Sequence, residues 1–136
     1  MNKTELQKYI AEAYSTAPDF PWESTPDAAV YRHENNRKWF ALVMTIPKAR
    51  LGIRLDEMID IVNLKCDPLL IGSLRSEPGI FPAYHMNKDK WISVALDGSA
   101  DDEQIKMLLD MSFELTGVKI KKRRKRDADD DQTRND

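Results

Sequence analysis

Between Ala83 and Trp91 the chain reads "AYHMNKDKW", which gathers Tyr84, His85, Asn87, Lys88, Lys90 and Trp91 in one short stretch. Two chemistries suit such a group. Lysines near aromatic and amide side chains can contact a nucleic-acid backbone, whereas a tyrosine, a histidine and a lysine that converge can share an acid–base site. Convergence is the difficulty for the second: in an extended segment Tyr84 and His85, being adjacent, face opposite sides. No partner set for a nucleophile appears elsewhere. His33 and His85 are the only histidines, Cys66 lies among apolar neighbours in "IVNLKCDP", and no serine stands in a nucleophile elbow. Two histidines, one cysteine and scattered carboxylates show no metal-ligand spacing, and "PGIFPAY" lacks the glycine pattern of a nucleotide loop. The expectation is a protein with no catalytic residue, no metal and no cofactor, and therefore not an enzyme.

Charge sharpens the nucleic-acid reading. Of the 21 basic and 23 acidic residues, eight and five lie in residues 119–136, which leaves 13 basic and 18 acidic residues in 1–118, a net charge of −5. Duplex affinity comes mainly from cations that replace phosphate counterions, so a binding surface on residues 1–118 must be a local patch. Lys65, Lys88 and Lys90 are its candidates. The run Lys121, Lys122, Arg123, Arg124, Lys125 and Arg126 adds a second cationic source. Followed by an acidic block and almost devoid of apolar side chains, 119–136 reads as a disordered tail attached to a folded domain of residues 1–118.

The remaining composition, 41% hydrophobic and 32% charged, suits one soluble domain of this length. A single cysteine excludes an internal disulfide and points to a reducing compartment. No apolar run approaches the roughly 20 residues of a membrane span, and "MNKTELQKYI" lacks the apolar core of a signal peptide. A cytoplasmic protein without membrane contact is expected.

The elements that must position the candidates follow from pattern. Thr4 and Gln7 form a capping box before "TELQKYIAEAY", whose Leu6, Ile10, Ala13 and Tyr14 recur at helical spacing. Val30–Arg32 and Trp39–Ile46 read as strands joined by the turn "ENNR". In "IDIVNLKC", Ile59, Ile61 and Asn63 share one face of a strand and Val62, Leu64 and Cys66 the other. Asp67-Pro68 opens a short helix, "PLLIGSLRS". "AYHM" and "WISVAL" then read as a hairpin with "NKDK" at its tip. Ser99 and Asp102 open the last helix, along which Ile105, Leu108, Leu109 and Ser112 form one side, with Gly117 as its C-cap. Trp39 and Trp91 are expected in the core. The order α-β-β-β-α-β-β-α predicts a two-layer α+β domain, with helices on one face of a mainly antiparallel sheet.

Taken together and in order, "YRHENNRKWFAL", "DIVNLKCDP", "PGIFPAYHMNKDKWISVALDG" and "DDEQIKMLLDMSFELT" resemble the successive motifs of the MmcQ/YjbR-like family of small bacterial proteins. The resemblance runs from the first helix to Leu115. It implies a secretion-chaperone-like α+β fold and a DNA-binding role, and it carries the family's recurrent polar positions onto Lys65, Tyr84, His85, Asn87, Lys88 and Trp91. Two functions are thus carried forward. One is a DNA-binding protein that uses these residues with Lys90 and the basic tail. The other is a protein-interaction or chaperone-like module whose sheet or groove receives a peptide, a role suited by the six methionines. Neither assigns an oligomeric state.

Overall fold

The first helix begins two residues earlier than Thr4 and Gln7 suggest. In the computed structural model, which describes residues 1–118, Asn2 is the N-cap of helix α1 (Lys3–Tyr14). Its side chain accepts from the Glu5 N–H while the Glu5 carboxylate accepts from the Asn2 N–H. Strands β1 (Ala29–Arg32) and β2 (Trp39–Pro47), a 3-10 turn (Lys48–Leu51) and β3 (Met58–Lys65) follow. Asp67 caps helix α2 (Pro68–Leu74) through the Leu69 N–H, with Pro68 in the first turn. Then come β4 (Ile80–Pro82), β5 (Trp91–Ala95) and helix α3 (Asp102–Thr116). The α3 N-cap is Asp101, not Ser99, whose hydroxyl and N–H are both committed to the Asp97 carboxylate.

The five strands form one antiparallel sheet in the order β1-β2-β3-β5-β4. All three helices cover the same face. Leu6 and Ile10 of α1, Ile71 of α2, and Ile105, Leu108 and Leu109 of α3 meet Tyr31, Val43, Val62 and Leu64 in one buried cluster. The other face has no helix, yet Val30, Leu42, Ile59, Ile61 and Ala95 are buried there too. Connections cover it: Trp22 and Ala28 pack over Val30 and Leu42, and Leu51 and Tyr84 pack over Ile61 and Ala95. The alternation expected along β3 is observed, with Ile59 and Ile61 under the connections and Val62, Leu64 and Cys66 under the helices.

A bulge decides which aromatic rings are core. Tyr31 pairs with Ala41 and Arg32 with Trp39, which leaves Phe40 unpaired. The extra residue lets Phe40 and Ala41 both join the cluster beneath the helices while Trp39 turns to the opposite face. Phe40 is fully buried and lies against Tyr14, Tyr31, His33 and Phe113. The expectation of core tryptophans is corrected: Trp39 and Trp91 are only half-buried. Trp39 packs edge-on against Trp22 under the Arg32 guanidinium.

The hairpin over 79–98 exists, but its strands are shorter than expected. Ile80, Phe81 and Pro82 pair with Val94, Ser93 and Ile92, and "AYHM" lies in the connection rather than in a strand. Pro82 has no N–H to continue the ladder. Gly79 enters the hairpin at φ 79°, where an added Cβ would stand 2.6 Å from Ser99 Oγ and 2.9 Å from the Ala100 nitrogen. Among the described residues, no helix is long and apolar enough to cross a membrane.

The different burial of neighbouring rings can be measured. Phe40→Ala is expected to cost about 3–5 kcal/mol in denaturant melts, as for other fully buried aromatic truncations. Trp39→Ala should cost about 1–2 kcal/mol, from partial burial and its ring contacts. Equal losses would contradict the assignment of Phe40, rather than Trp39, to the core.

Candidate functional site

Asn63 and Ser93 form a cross-strand pair on the helix-free face, and both are completely buried. Two polar side chains there need partners, and the connection after β4 provides them. The Asn63 amide donates to the Tyr84 carbonyl at 3.0 Å, the Tyr84 N–H donates to Ser93 Oγ at 2.9 Å, and the Ser93 hydroxyl donates to Asn63 Oδ1. These three bonds close a ring that ties the Tyr84 backbone to the centre of the sheet. Side chains of β3 and β5 thereby replace the ladder that Pro82 ends.

The next residue, His85, has φ 58°, a left-handed conformation uncommon for a residue with a Cβ. The resulting turn brings its ring to 4.0 Å from that of Tyr84, centroid to centroid. Tyr84 and His85 therefore do not face opposite sides, because they do not lie in a strand. Tyr84 is half-buried against the Ile61 cluster and His85 is exposed.

Beside this ring pair is an open cleft of about 400 Å³, lined by Arg50, Leu51, Pro82, Tyr84, His85 and Lys88. Arg50 comes from the 3-10 turn after β2. Gly52, at φ 81°, closes that turn, and a Lys48–Glu57 ion pair of 2.6 Å ties it to the start of β3. The Lys48 contact holds the Glu57 carboxyl below the usual carboxylate range. Lys88 is exposed, and its carbonyl accepts from the Arg75 guanidinium. Among the described residues neither Arg50 nor Lys88 has a carboxylate within 4.0 Å.

The other residues expected at the site are divided. Asn87 builds the turn: its Oδ1 accepts from the Asp89 N–H at 2.8 Å, and its carbonyl accepts from the N–H groups of Lys90 and Trp91. Lys90 is exposed, and its carbonyl receives the Cys66 N–H. Lys65 and Trp91 are cross-strand partners, half-buried and outside the cleft lining. The six basic residues Lys121 to Arg126 lie outside the described residues. Arg50 was missed in the sequence because it is far from "AYHM" along the chain. Its signal was a cation in "KARLG", immediately after a strand and before a turn glycine.

A larger cleft, about 650 Å³, lies between the end of α1 and the β1–β2 turn. Its cations are already paired: Asp19 holds Arg32 at 2.7 Å and Arg37 at 3.3 Å. His33 below it is buried and directs Nε2 at the Phe113 carbonyl and Thr116 Oγ1 at the end of α3. The smaller cleft is the better candidate because its charges remain available. Cys66 is buried, and burial followed by the Asp67 charge pushes its thiol up. Among the described residues no group of three or more His, Cys, Asp or Glu side chains could hold a metal ion.

A family model described as YjbR matches residues 11–115. The uncharacterised protein YyaQ of Bacillus subtilis is 40% identical over 116 residues, which is 85% of this chain and 98% of that one. The uncharacterised YjbR of Escherichia coli K12 is 43% identical over 54 residues, covering 39% of this chain and 46% of its own. A crystal structure of a protein from Pseudomonas syringae superposes with a TM-score of 0.85 at 49% identity, covering 86% of this chain and all of that one.

Two measurements test this construction. Asn63→Ala removes a partner from both the Tyr84 carbonyl and the Ser93 hydroxyl, and should cost about 1–3 kcal/mol per orphaned group. It should also speed hydrogen exchange at the Tyr84 amide; an unchanged amide with a negligible stability loss would show that the loop is held by other means. Cys66 should react with a thiol reagent at pH 8 only as fast as the protein opens, because a buried thiol of raised pKa supplies little thiolate. Rapid labelling of the native protein would contradict its burial.

Proposed function

This chain belongs to the YjbR family, and we propose that it is a non-enzymatic DNA-binding protein that contacts phosphates through the Tyr84 cleft, with the basic segment 121–126 adding non-specific attraction. The observation that carries this reading is the placement of Arg50 and Lys88 on two connections that line one cleft with the half-buried Tyr84 and the exposed His85. Cations without nearby carboxylates, set beside aromatic rings, suit a nucleic-acid strand better than they suit acid–base chemistry. A net charge of −5 over residues 1–118 confines the attraction to such a patch. Lys90 and Lys65 are secondary contacts in this reading. We further propose a cytoplasmic location, which a lone unpaired cysteine suits.

A second reading, a module for a protein partner, is favoured by Leu69 and Met107, which are 89% and 60% exposed on α2 and α3. It is contiguous exposed apolar patches, rather than single side chains, that mark interaction surfaces.

Duplex binding followed by anisotropy against salt concentration separates the two. Removing 119–136 takes away a net +3 and should weaken duplex binding strongly while leaving the thermal melt nearly unchanged. Arg50→Ala with Lys88→Ala should flatten the plot of log affinity against log salt by about two units of slope. Lys88→Ala with Lys90→Ala should flatten it by about one or two. If the Arg50/Lys88 variant binds like the parent, the cleft is not the site. If the intact chain binds neither duplex nor single-stranded DNA at physiological salt, the protein-partner reading replaces this one.

A further inference from the structure

We propose that the group seated in the cleft is an unpaired nucleotide of a nucleic-acid strand, its base stacked on the Tyr84–His85 ring pair and its phosphate held between Arg50 and Lys88. This inference rests on the DNA-binding reading and adds that single strands are preferred over intact duplex.

The first support is the geometry of the rings. Tyr84 and His85 meet at 4.0 Å between centroids with an interplanar angle of 56°, so the two rings are tilted against each other rather than stacked flat, and both line the cleft. Adjacent residues in an extended chain cannot do this. Here it requires the left-handed φ of His85, a conformation that stores strain and persists only where the surroundings hold it. The closed Asn63–Ser93–Tyr84 ring fixes the backbone immediately before it, while the Tyr84 side chain, half-buried against Ile61, and the exposed His85 side chain both line the cleft. A base inside a duplex has both faces covered by its neighbours. Only an unstacked base can present a face to an aromatic side chain.

The second support is scale. A cleft of about 400 Å³ lies at the small end of the range for small-molecule sites, which suits one nucleotide and not a groove or a recognition helix. Two cations, Arg50 and Lys88, match one or two phosphates. A duplex binder of residues 1–118 would need a longer cationic track than a surface of net −5 supplies. Leu51 and Pro82 add apolar surface to the cleft lining, against which the face of a base can pack.

The test uses the full chain with a labelled 12-nucleotide single strand, the corresponding duplex and a nucleoside monophosphate. His85→Gly removes one ring at a position whose backbone glycine adopts readily. Tyr84→Leu keeps an apolar side chain against Ile61 and loses the aromatic face. Thermal melts confirm that both variants fold. The single strand is expected to bind at least fivefold tighter than the duplex, and each substitution should weaken it by roughly tenfold, the size of one lost stacking contact, with little change for the duplex. Equal binding of strand and duplex, unaffected by either substitution, would overturn the stacked-nucleotide proposal and leave the DNA-binding reading standing. Failure to bind any nucleic acid would overturn both. Displacement of the strand by stoichiometric monophosphate would show that a free nucleotide, not a strand, is the occupant and would overturn the proposal in that form.

Discussion

The ring of hydrogen bonds among Asn63, Ser93 and the Tyr84 backbone is the constraint on which the candidate site depends. An asparagine and a serine at 0% exposure would each destabilise the sheet if left without partners. Together they satisfy one another only in part, and each still has a hydrogen-bonding group to spare. The Tyr84 peptide fits both remaining needs, because it offers a donor and an acceptor on one residue. The loop is therefore not draped over the sheet by apolar contact alone. Its position is set by the same groups that make a polar pair tolerable in the middle of two apolar strands.

The two faces of the sheet are stabilised differently, and that difference places the site. Beneath the helices, packing is dense and apolar, with Phe40 admitted by a bulge and Ser112 spanning from the Phe40 carbonyl to the Lys65 N–H. On the other face, irregular connections provide the cover, and these leave clefts between them. The Tyr84 cleft lies where the 3-10 turn after β2 approaches the loop after β4. A rigid layer of helices on one side permits the opposite side to be built from loops that carry polar groups.

How much of this was legible in the sequence depended on whether the deciding partner was local. The two faces of β3 were readable because each packs against apolar neighbours and alternation at period two survives. Asp67-Pro68 marked α2 because both halves of the signal act within one turn. "AYHM" was misread because its aromatic and apolar content suits a strand, while the partners that pull it out of the ladder stand 21 and 9 residues away. Trp39 was placed in the core for a similar reason: the bulge that turns it outward is a property of the pairing with β1, not of the β2 sequence. Arg50 joins the site only through the approach of two connections, a contact that no local pattern encodes.

Both margins of the sheet are closed in ways that bear on how another chain could approach. β4 at one margin has three residues and ends in Pro82, and β1 at the other has its outer side engaged by the Asp19–Val30 bridge. The unpaired peptide groups that would let a foreign strand extend the ladder are thus few on either side. A polypeptide partner would have to be recognised through side chains rather than through backbone addition. For the same reason a high concentration of the folded protein need not lead to edge-to-edge polymerisation, even though its sheet is rich in Val, Ile and aromatic residues.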